Sequence, residues 1–246
     1  MSDNVFDSFV INLERRTDRL EKFCEINKDK IHVMRAKAID GRLLEFKEQI
    51  SINDTPIISK ELTQRFIGLK IGEIGCFLSH YFLWKKIASL EEPCIIFEDD
   101  TVLNDDFNQK LKFMIEKGLP SNFELLYLGI WQDYENDYFY RNYIKNNKQL
   151  LVNNHFYPFN SNNNLEGGDF YAYAYIISPE TCKTLCKHIE ETNYKLQALD
   201  HFLCRCDNKY VCFYKDDEPF LCHAPQGDSD IQTNKNDNHE NAVVFI

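Results

Sequence analysis

The chain has 246 residues, of which 43% are hydrophobic and 14% aromatic, so it holds enough apolar material for a large core without disulfide or metal support. A formal net charge of -11 argues against a protein that binds nucleic acid by neutralising phosphates. Because no uncharged apolar run reaches about 18 residues and the N-terminus lacks the pattern of a secretory signal, we expect no membrane span and a cytoplasmic location.

Predicted strands and helices alternate in the first hundred residues. "DSFVINL" predicts a strand over 7–13 and "IHVMRAKAIDG" a second over 31–41, with a charged helix from about 17 to 27 between them. "GEIGCFLSHYFLWKKIASL" predicts a long helix over 72–90 whose polar stripe is narrow, so it should be largely buried. The apolar run in "PCIIFEDD", residues 93–100, then predicts a strand in the middle of a sheet.

The same alternation continues to the last quarter of the chain. A helix is expected from about 105 to 117, followed by strands in "FELLYLGI" and "YAYAYIIS" on either side of an irregular stretch over 132–165. Ser178 followed by proline predicts a helix start, and "KYVCFY" a further strand before a polar tail from about 226. The pattern indicates one α/β domain over 1–246 with a mainly parallel central sheet.

The three carboxylates that end "PCIIFEDD" need an explanation, because adjacent acids repel one another unless a cation lies among them. A solvated acidic turn is one interpretation. In open α/β sheets, however, ligands bind beyond the carboxyl ends of strands. Alternation along a strand predicts that Glu98 and Asp100 face the same way and that Asp99 points elsewhere. Hard carboxylate oxygens at that place suit Mg²⁺ or Mn²⁺.

Nine cysteines are present, and six of them lie between Cys182 and Cys222. A structural zinc site is one interpretation of this cluster, but the spacing offers no C-x-x-C pair. Its candidate ligands are Cys204, Cys206, Cys212, Cys222 and His223. Cysteine is also among the most buried residue types, and an odd number of cysteines without a secretory signal favours free thiols.

Four segments in this order, "FVINLERRTDR", "AIDGR", "GEIGCFLSHYFLWKKI" and "IIFEDD", resemble glycosyltransferase family 25, which includes collagen β-galactosyltransferases and bacterial lipopolysaccharide glycosyltransferases. The likeness extends over about residues 9–234. It implies a GT-A fold with a Rossmann-like sheet, a UDP-sugar donor and Mn²⁺ or Mg²⁺. It further implies inverting transfer of a hexose, galactose or glucose, to a hydroxyl acceptor, either hydroxylysine of a collagen-like protein or a glycan. Glu124 and Ile130 depart from the collagen enzymes, so the acceptor stays open.

The resemblance also implies a donor site. Its residues in this chain are Asn12, Leu13, Arg16, Arg19, Asp40, Ser79, His80, Glu98 and Asp99. Arginine supplies forked donors suited to phosphate and ribose oxygens, although "ERRTDR" also allows the arginines to pair with neighbouring acids. Asp40 has the alternative of a plain Asp-Gly turn. His80 shares its helix side with Trp84 and Ile87, so a buried core histidine is the alternative there.

Metal and catalytic roles follow from the same resemblance. The metal ligands it implies are Glu98, Asp100 and His223, the last from the segment "EPFLCHAPQGDSD". Asp200 in "QALDHFL" is the candidate general base that deprotonates the acceptor hydroxyl; its alternative role is a helix N-cap. The Gly-Gly segment "NLEGGDFY" contributes further candidate bases, and the loop before it a possible aromatic contact to the acceptor. These residues are Glu166, Asp169 and Trp131.

Two other classes of protein remain as alternatives. One is a different metal-dependent nucleotide enzyme, a nucleotidyltransferase or phosphohydrolase, which needs no sugar acceptor. The other is a non-catalytic sugar-binding or protein-binding module on the same fold. Retention of Glu98, Asp100, Asp200 and His223 favours the transferase over the binding module.

Overall fold

The computed structural model describes residues 4–44, 60–129, 142–159, 172–216, 218 and 220–224. Its strands are β1 (Asp7–Asn12), β2 (Met34–Lys37), β3 (Cys94–Glu98), β4 (Val102–Leu103), β5 (Leu125–Tyr127), β6 (Phe156–Phe159), β7 (Ala174–Ile177), β8 (Lys209–Cys212) and β9 (Cys222–His223). Its α-helices are α1 (Thr17–Ile26), α2 (Lys60–Thr63), α3 (Ile71–Ile87), α4 (Phe107–Glu116), α5 (Pro179–Glu191) and α6 (Leu199–Leu203). Two 3₁₀ turns cover Gly41–Leu43 and Lys148–Leu150, and residues 142–146 are also helical.

A seven-stranded sheet in the order β2-β1-β3-β7-β5-β8-β6 forms the centre of the fold. β7 pairs antiparallel with both β3 and β5, and β6 pairs antiparallel with β8. The remaining pairings are parallel, so β2, β1, β3, β5 and β8 all run in one direction. The predicted α/β class with a mainly parallel central sheet is therefore confirmed. β4 and β9 form a separate two-stranded sheet.

Consecutive residues of the central strands face two different cores. In β1, Phe9 packs in the cluster that contains α3 and α5, whereas Val10 packs in the cluster that contains α1 and α4. In β3, Ile96 and Phe97 divide in the same way. Both faces of the sheet are thus covered, which explains why these strands read as unbroken apolar runs rather than as alternating ones.

Helix α3 is nearly apolar all round, and it is buried as predicted. Its side chains Phe77, Leu78 and Trp84 have no exposed surface. Its first turns lie directly against the loop that follows β2: a Cβ on Gly75 would lie 2.7 Å from the Ile39 carbonyl oxygen. Only glycine allows this approach, so the sequence of α3 fixes the position of the loop that carries Asp40.

Helix α5 begins where the sequence predicts. The Ser178 hydroxyl accepts a hydrogen bond from the Thr181 N–H at 3.1 Å, and Pro179 occupies the first helical position. Among the described residues, no helix is both long and apolar enough to cross a bilayer.

Candidate active site

The ends of β1 and β3 bring two predicted segments together. These strands are parallel neighbours, with Ile11 opposite Glu98, so Asn12 lies beside the start of the acidic turn. The Asn12 Nδ2 atom donates to Asp99 Oδ2 at 2.6 Å and to the Arg16 carbonyl oxygen at 2.8 Å. A buried amide thereby joins the first nucleotide-binding segment to the carboxylates, at the sheet edge where ligands of α/β proteins bind.

Arg19 is the cation that the three adjacent acids require. Its Nη2 atom lies 2.6 Å from Asp99 Oδ1 and 3.0 Å from Asp100 Oδ2. The prediction that Asp99 points away from its neighbour is wrong, because β3 ends at Glu98 and the next two residues form a turn instead of continuing the alternation. Arg19, predicted as a nucleotide contact, pairs with two acids of the turn from its place in α1.

The second oxygen of Asp100 is left without compensation. Among the described residues, its Oδ1 atom is buried and has no hydrogen-bond partner. Burial, followed by the negative charge of Glu98, raises the pKa of Asp100 to about 6, and Arg19 only partly opposes this. Burial likewise raises the pKa of Asp99. A buried carboxylate oxygen with no donor is a suitable ligand atom for a hard cation.

Glu98 packs against side chains of α3. Its Oε1 atom lies 3.7 Å from Cys76 Sγ and 3.6 Å from His80 Nε2. Burial, followed by the charge of Asp99, raises the pKa of Glu98 to about 7. The described contacts place Glu98 Oε1 beside Cys76 and His80, and Asp100 Oδ2 beside Arg19.

His80 is a buried, neutral histidine. Its Nδ1 atom lies 2.7 Å from the Tyr175 hydroxyl, which also accepts from Trp84 Nε1 at 3.0 Å. Burial lowers the pKa of His80 to about 3. With no exposed surface it has no access to a soluble donor, which favours the core interpretation. Its Nε2 atom nevertheless has no hydrogen-bond partner among the described residues and faces Glu98.

Ser79 and Asp40 organise the loop after β2. The Ser79 hydroxyl donates to the Gly75 carbonyl at 2.6 Å and accepts from the Ile39 N–H at 2.8 Å, so it fastens α3 to this loop. Asp40 caps the following 3₁₀ turn and binds Arg15 Nε at 2.7 Å and Arg42 Nη2 at 3.0 Å. Both residues position backbone in the structure, and Asp40 forms the turn that was its alternative interpretation.

Arg16 and Leu13 complete the first segment. The Arg16 Nη2 atom lies 2.9 Å from Asp18 Oδ2. Arg16 therefore does pair with a neighbouring acid of "ERRTDR", which was the alternative to a nucleotide contact. The Leu13 carbonyl accepts from the Arg16 N–H at 2.9 Å and from Arg35 Nη2 at 3.3 Å. The segment is therefore a tight turn between β1 and α1, and Arg19 in the helix that follows contacts the acidic turn.

Asp200, the candidate base, lies on the Glu98 side of the site. Its Oδ1 atom accepts from the Ala172 N–H at 3.1 Å. It is not the N-cap of α6, because Ala198 holds that position and Asp200 belongs to the first turn. Burial raises the pKa of the Cys76 thiol, and the charges of Glu98, Asp200 and Asp100 raise it further. The charges of three carboxylates therefore act on one thiol.

The predicted metal histidine is brought close to the acidic turn by the small sheet. His223 in β9 pairs with Val102 in β4, and Val102 follows Asp100 by two positions. The remaining candidates Glu166, Asp169 and Trp131 lie outside the described residues.

All nine cysteines are free, and most of them pack in the cores. Within the described part of the chain, the only three potential ligands whose atoms all lie within 4.8 Å of one another are Cys76, His80 and Glu98. The alternative zinc site among the C-terminal cysteines is therefore not assembled, nor do Glu98, Asp100 and His223 meet within that distance. Sequence reasoning missed Cys76, although its spacing of four from His80 places both on one side of α3.

Comparison with known proteins identifies a matching family and related sequences. Residues 6–203 match the family model described as glycosyltransferase family 25 (LPS biosynthesis protein). The human protein named procollagen galactosyltransferase 2 is 33% identical over 132 residues, which cover 49% of this chain and 20% of that protein. An Aedes aegypti protein named glycosyltransferase 25 family member is 26% identical over 200 residues, which cover 79% of this chain and 30% of that protein. The matched regions are thus a minor part of both relatives.

Solved structures were also matched. An active-site mutant of LgtC matches with a TM-score of 0.45 at 13% identity, over 91% of this chain and 88% of that one. LgtC in complex with donor and acceptor sugar analogues matches with a TM-score of 0.40.

Proposed function

Because the chain belongs to glycosyltransferase family 25, we propose that it moves a hexose from a UDP-sugar to a hydroxyl acceptor with the help of a divalent cation, Mn²⁺ or Mg²⁺. One observation carries this proposal beyond family membership. The buried Asp100 Oδ1 atom has no hydrogen-bond partner among the described residues, at the carboxyl edge of two parallel strands. Such an edge is where nucleotides and their cations bind in α/β proteins.

The residues present fit a hard cation. Asp100 would be the principal protein ligand, and His223, held nearby by β4–β9 pairing, would be a second. Few protein ligands suffice, since Mg²⁺ and Mn²⁺ in nucleotide enzymes usually complete their shells with phosphate oxygens and water. When bound, the cation stabilises the negative charge that develops on the departing diphosphate.

The donor would lie across the turn between β1 and α1. Leu13, Arg16 and Asp40 line this edge. The Asn12 side-chain amide holds Asp99 in place by donating a hydrogen bond to it. Arg19 is already bound to both Asp99 and Asp100, so we assign it to positioning the turn rather than to the nucleotide. Ser79 and His80 act through other residues, since one fastens the loop of Asp40 and the other contacts Glu98 from within the core.

Asp200 is proposed as the general base. Its carboxylate would take the proton of the acceptor hydroxyl as the hydroxyl oxygen bonds to the anomeric carbon and the bond from that carbon to the diphosphate oxygen breaks. A single displacement of this kind inverts the anomeric centre, by the same logic as inverting sugar hydrolysis. Glu166 and Asp169 remain the alternative bases.

The identity of the sugar and acceptor is proposed from relatives alone. The name of the human relative favours galactose and a collagen-like protein, whereas the family description favours a glycan. A non-catalytic role also has one observation in its favour. A rat relative, 31% identical over 127 residues, is named probable inactive glycosyltransferase 25 family member 3.

The deciding experiment measures UDP release from UDP-galactose and UDP-glucose, with Mn²⁺ and with chelator, alongside binding of UDP. We expect release that requires the cation and exceeds that of the Asp100→Asn variant. UDP binding without release from either sugar, in the presence of collagen peptides and of glycan acceptors, would favour the non-catalytic module. Turnover of nucleoside triphosphates instead would favour the other class of nucleotide enzyme.

A further inference from the structure

We propose that Cys76, His80 and Glu98 form a zinc-binding site with an open fourth position, between α3 and the end of β3 and separate from the hard-cation site at Asp100. The site rests on residues that the proposed transfer reaction does not use as donor contacts. It does not depend on the proposed function being correct.

The distances between the ligand atoms suit a tetrahedral zinc ion. With Zn–S of about 2.3 Å and Zn–N or Zn–O of about 2.0–2.1 Å, neighbouring ligand atoms in a tetrahedron lie about 3.3–3.6 Å apart. Glu98 Oε1 lies 3.7 Å from Cys76 Sγ and 3.6 Å from His80 Nε2. The remaining pair, sulfur and imidazole nitrogen, lies within 4.8 Å. Closing this triangle needs only small side-chain movements.

Each ligand is held by regular structure. Cys76 and His80 are four residues apart on α3, so their side chains emerge on the same side. Glu98 ends β3, and its N–H donates to the Tyr173 carbonyl at 2.7 Å. The Tyr175 hydroxyl contacts His80 Nδ1 and so orients Nε2 toward the cluster, which is the usual arrangement behind a metal-binding histidine.

The free imidazole nitrogen is the observation that points to a ligand. His80 has no exposed surface, and within the described residues its Nε2 atom has no hydrogen-bond partner. Buried polar atoms without a partner are uncommon and costly. This atom faces a thiol and a carboxylate rather than a hydrogen-bonding group at normal distance, which is what a site prepared for a cation would leave behind.

The ligand set selects zinc over manganese or magnesium. Sulfur and imidazole ligands suit Zn²⁺, whereas carboxylate and phosphate oxygens suit Mg²⁺ and Mn²⁺. A thiolate and a carboxylate together balance the charge of a divalent ion, so the filled site would be neutral and compatible with burial. Three protein ligands leave one position open, and the 26% exposure of the Glu98 side chain gives that position access from outside.

The test uses Co²⁺ as a spectroscopic substitute for Zn²⁺, titrated into the metal-free protein of 246 residues. We expect one equivalent to produce a thiolate-to-cobalt charge-transfer band in the near ultraviolet, which Zn²⁺ then abolishes by displacement. Cys76→Ser should remove the band, and His80→Asn should weaken binding by more than about 100-fold, since even loss of an outer partner costs 10- to 100-fold. Folding of each variant is checked by circular dichroism.

Matched controls separate this site from other thiols and from the acidic turn. Cys24→Ser and Cys204→Ser remove exposed thiols elsewhere and should leave the band unchanged. Asp100→Asn should also leave it unchanged, because that carboxylate belongs to the other site. Absence of the band in the wild-type protein, or its persistence in Cys76→Ser, would overturn the proposal. If Cys76→Ser does not fold, X-ray absorption of the zinc-loaded wild type decides: one sulfur scatterer supports the site, and none or several contradict it.

Discussion

Glu98 and Asp100 belong to one acidic motif, yet their surroundings differ completely. Glu98 Oε1 lies against a thiol and a neutral imidazole, and the charge of Arg19 only partly opposes the rise in the pKa of Glu98. Asp100 shares Arg19 with Asp99, and its buried Oδ1 atom has no hydrogen-bond partner among the described residues. The difference arises because β3 ends between them, so two residues of separation no longer mean one shared face. Two neighbouring carboxylates thus contact different groups, which is the basis for proposing two cation sites of different preference.

The strongest test of this contrast is Asp100→Asn. We expect UDP release to fall by at least about 10³-fold, because the charge on the diphosphate loses its counterion. The fold should persist, since a turn carboxylate contributes little packing. Steady-state assays over a range of Mn²⁺ concentrations measure the effect. Asp105→Asn, an exposed acid a few positions further on, is the matched control and should retain full activity. Equal activity of the two variants would remove Asp100 from the metal site.

Asp200→Asn separates chemistry from cation binding. Asparagine can still accept the hydrogen bond from Ala172, but it cannot take a proton. We expect kcat to fall by roughly 10²–10⁴, the usual effect of losing general base catalysis. Affinities for UDP and Mn²⁺, measured by calorimetry, should stay close to those of the wild type. Weakened UDP binding would place Asp200 among the donor contacts, and unchanged kcat would transfer the base role to Glu166 or Asp169.

Arg19→Gln tests how much the ion pairs of Arg19 with Asp99 and Asp100 contribute to the free energy of unfolding. Without Arg19 the two neighbouring carboxylates lose their cation, and we expect the free energy of unfolding to drop by about 1–3 kcal/mol. This is less than for a fully buried pair because Asp100 is 33% exposed. Urea unfolding measures the loss. Added Mn²⁺ should stabilise the variant more than the wild type.

The control for this variant is Arg16→Gln. Arg16 pairs with the exposed Asp18, so its loss should cost no more than about 1 kcal/mol. Losses of equal size in the two variants would mean that Arg19 has no special role in neutralising the turn.

Glu98→Gln tests how the raised pKa of Glu98 makes the stability of the protein depend on pH. In the folded protein the pKa of Glu98 is raised from its ordinary value of 4.5 to about 7, so between these values the folded state holds a proton that the unfolded state has lost. Stability should therefore decline as pH rises from about 4.5 to 7 and level off above. In chelator, Glu98→Gln should show a smaller decline and exceed the wild type in stability at pH 8. Glu14→Gln, an exposed control, should keep the wild-type slope.

Regular, buried elements could be predicted closely from the sequence. Helix α3 begins and ends within a few residues of its predicted bounds, because an unbroken apolar surface leaves few other structures open to it. Helix α5 begins at Ser178 because a hydroxyl followed by proline is a local signal that needs no tertiary information.

Strand β6 was missed for a physical reason. Phe156–Phe159 contains Pro158, which lowers strand propensity, and it lies at the edge of the sheet, where a missing N–H is tolerated. Only the pairing with β8 decides its structure, and a single sequence does not reveal that pairing. The small β4–β9 sheet was missed for the same reason, since it joins distant segments of two residues each.

The sequence predicted which residues form the candidate site, but not the directions in which their side chains point. Asn12, Arg19, Asp99 and Asp100 do meet, because parallel neighbours end at the same edge. The orientation of Asp99 was wrong, since one residue of difference in where a strand ends reverses which way a side chain points. Cys76 was missed because only cysteines near the C-terminus were considered as metal ligands, and its carboxylate neighbour arrives from another element.

The β4–β9 pairing has a consequence for the order in which the protein is made. The acidic turn is synthesised early, but the strand opposite Val102 is synthesised more than a hundred residues later. On the ribosome, β1, α1 and β3 can therefore assemble around Arg19 while β4 still lacks its partner. The proposed cation site therefore stays incomplete until the segment carrying His223 emerges, after the last strand of the central sheet.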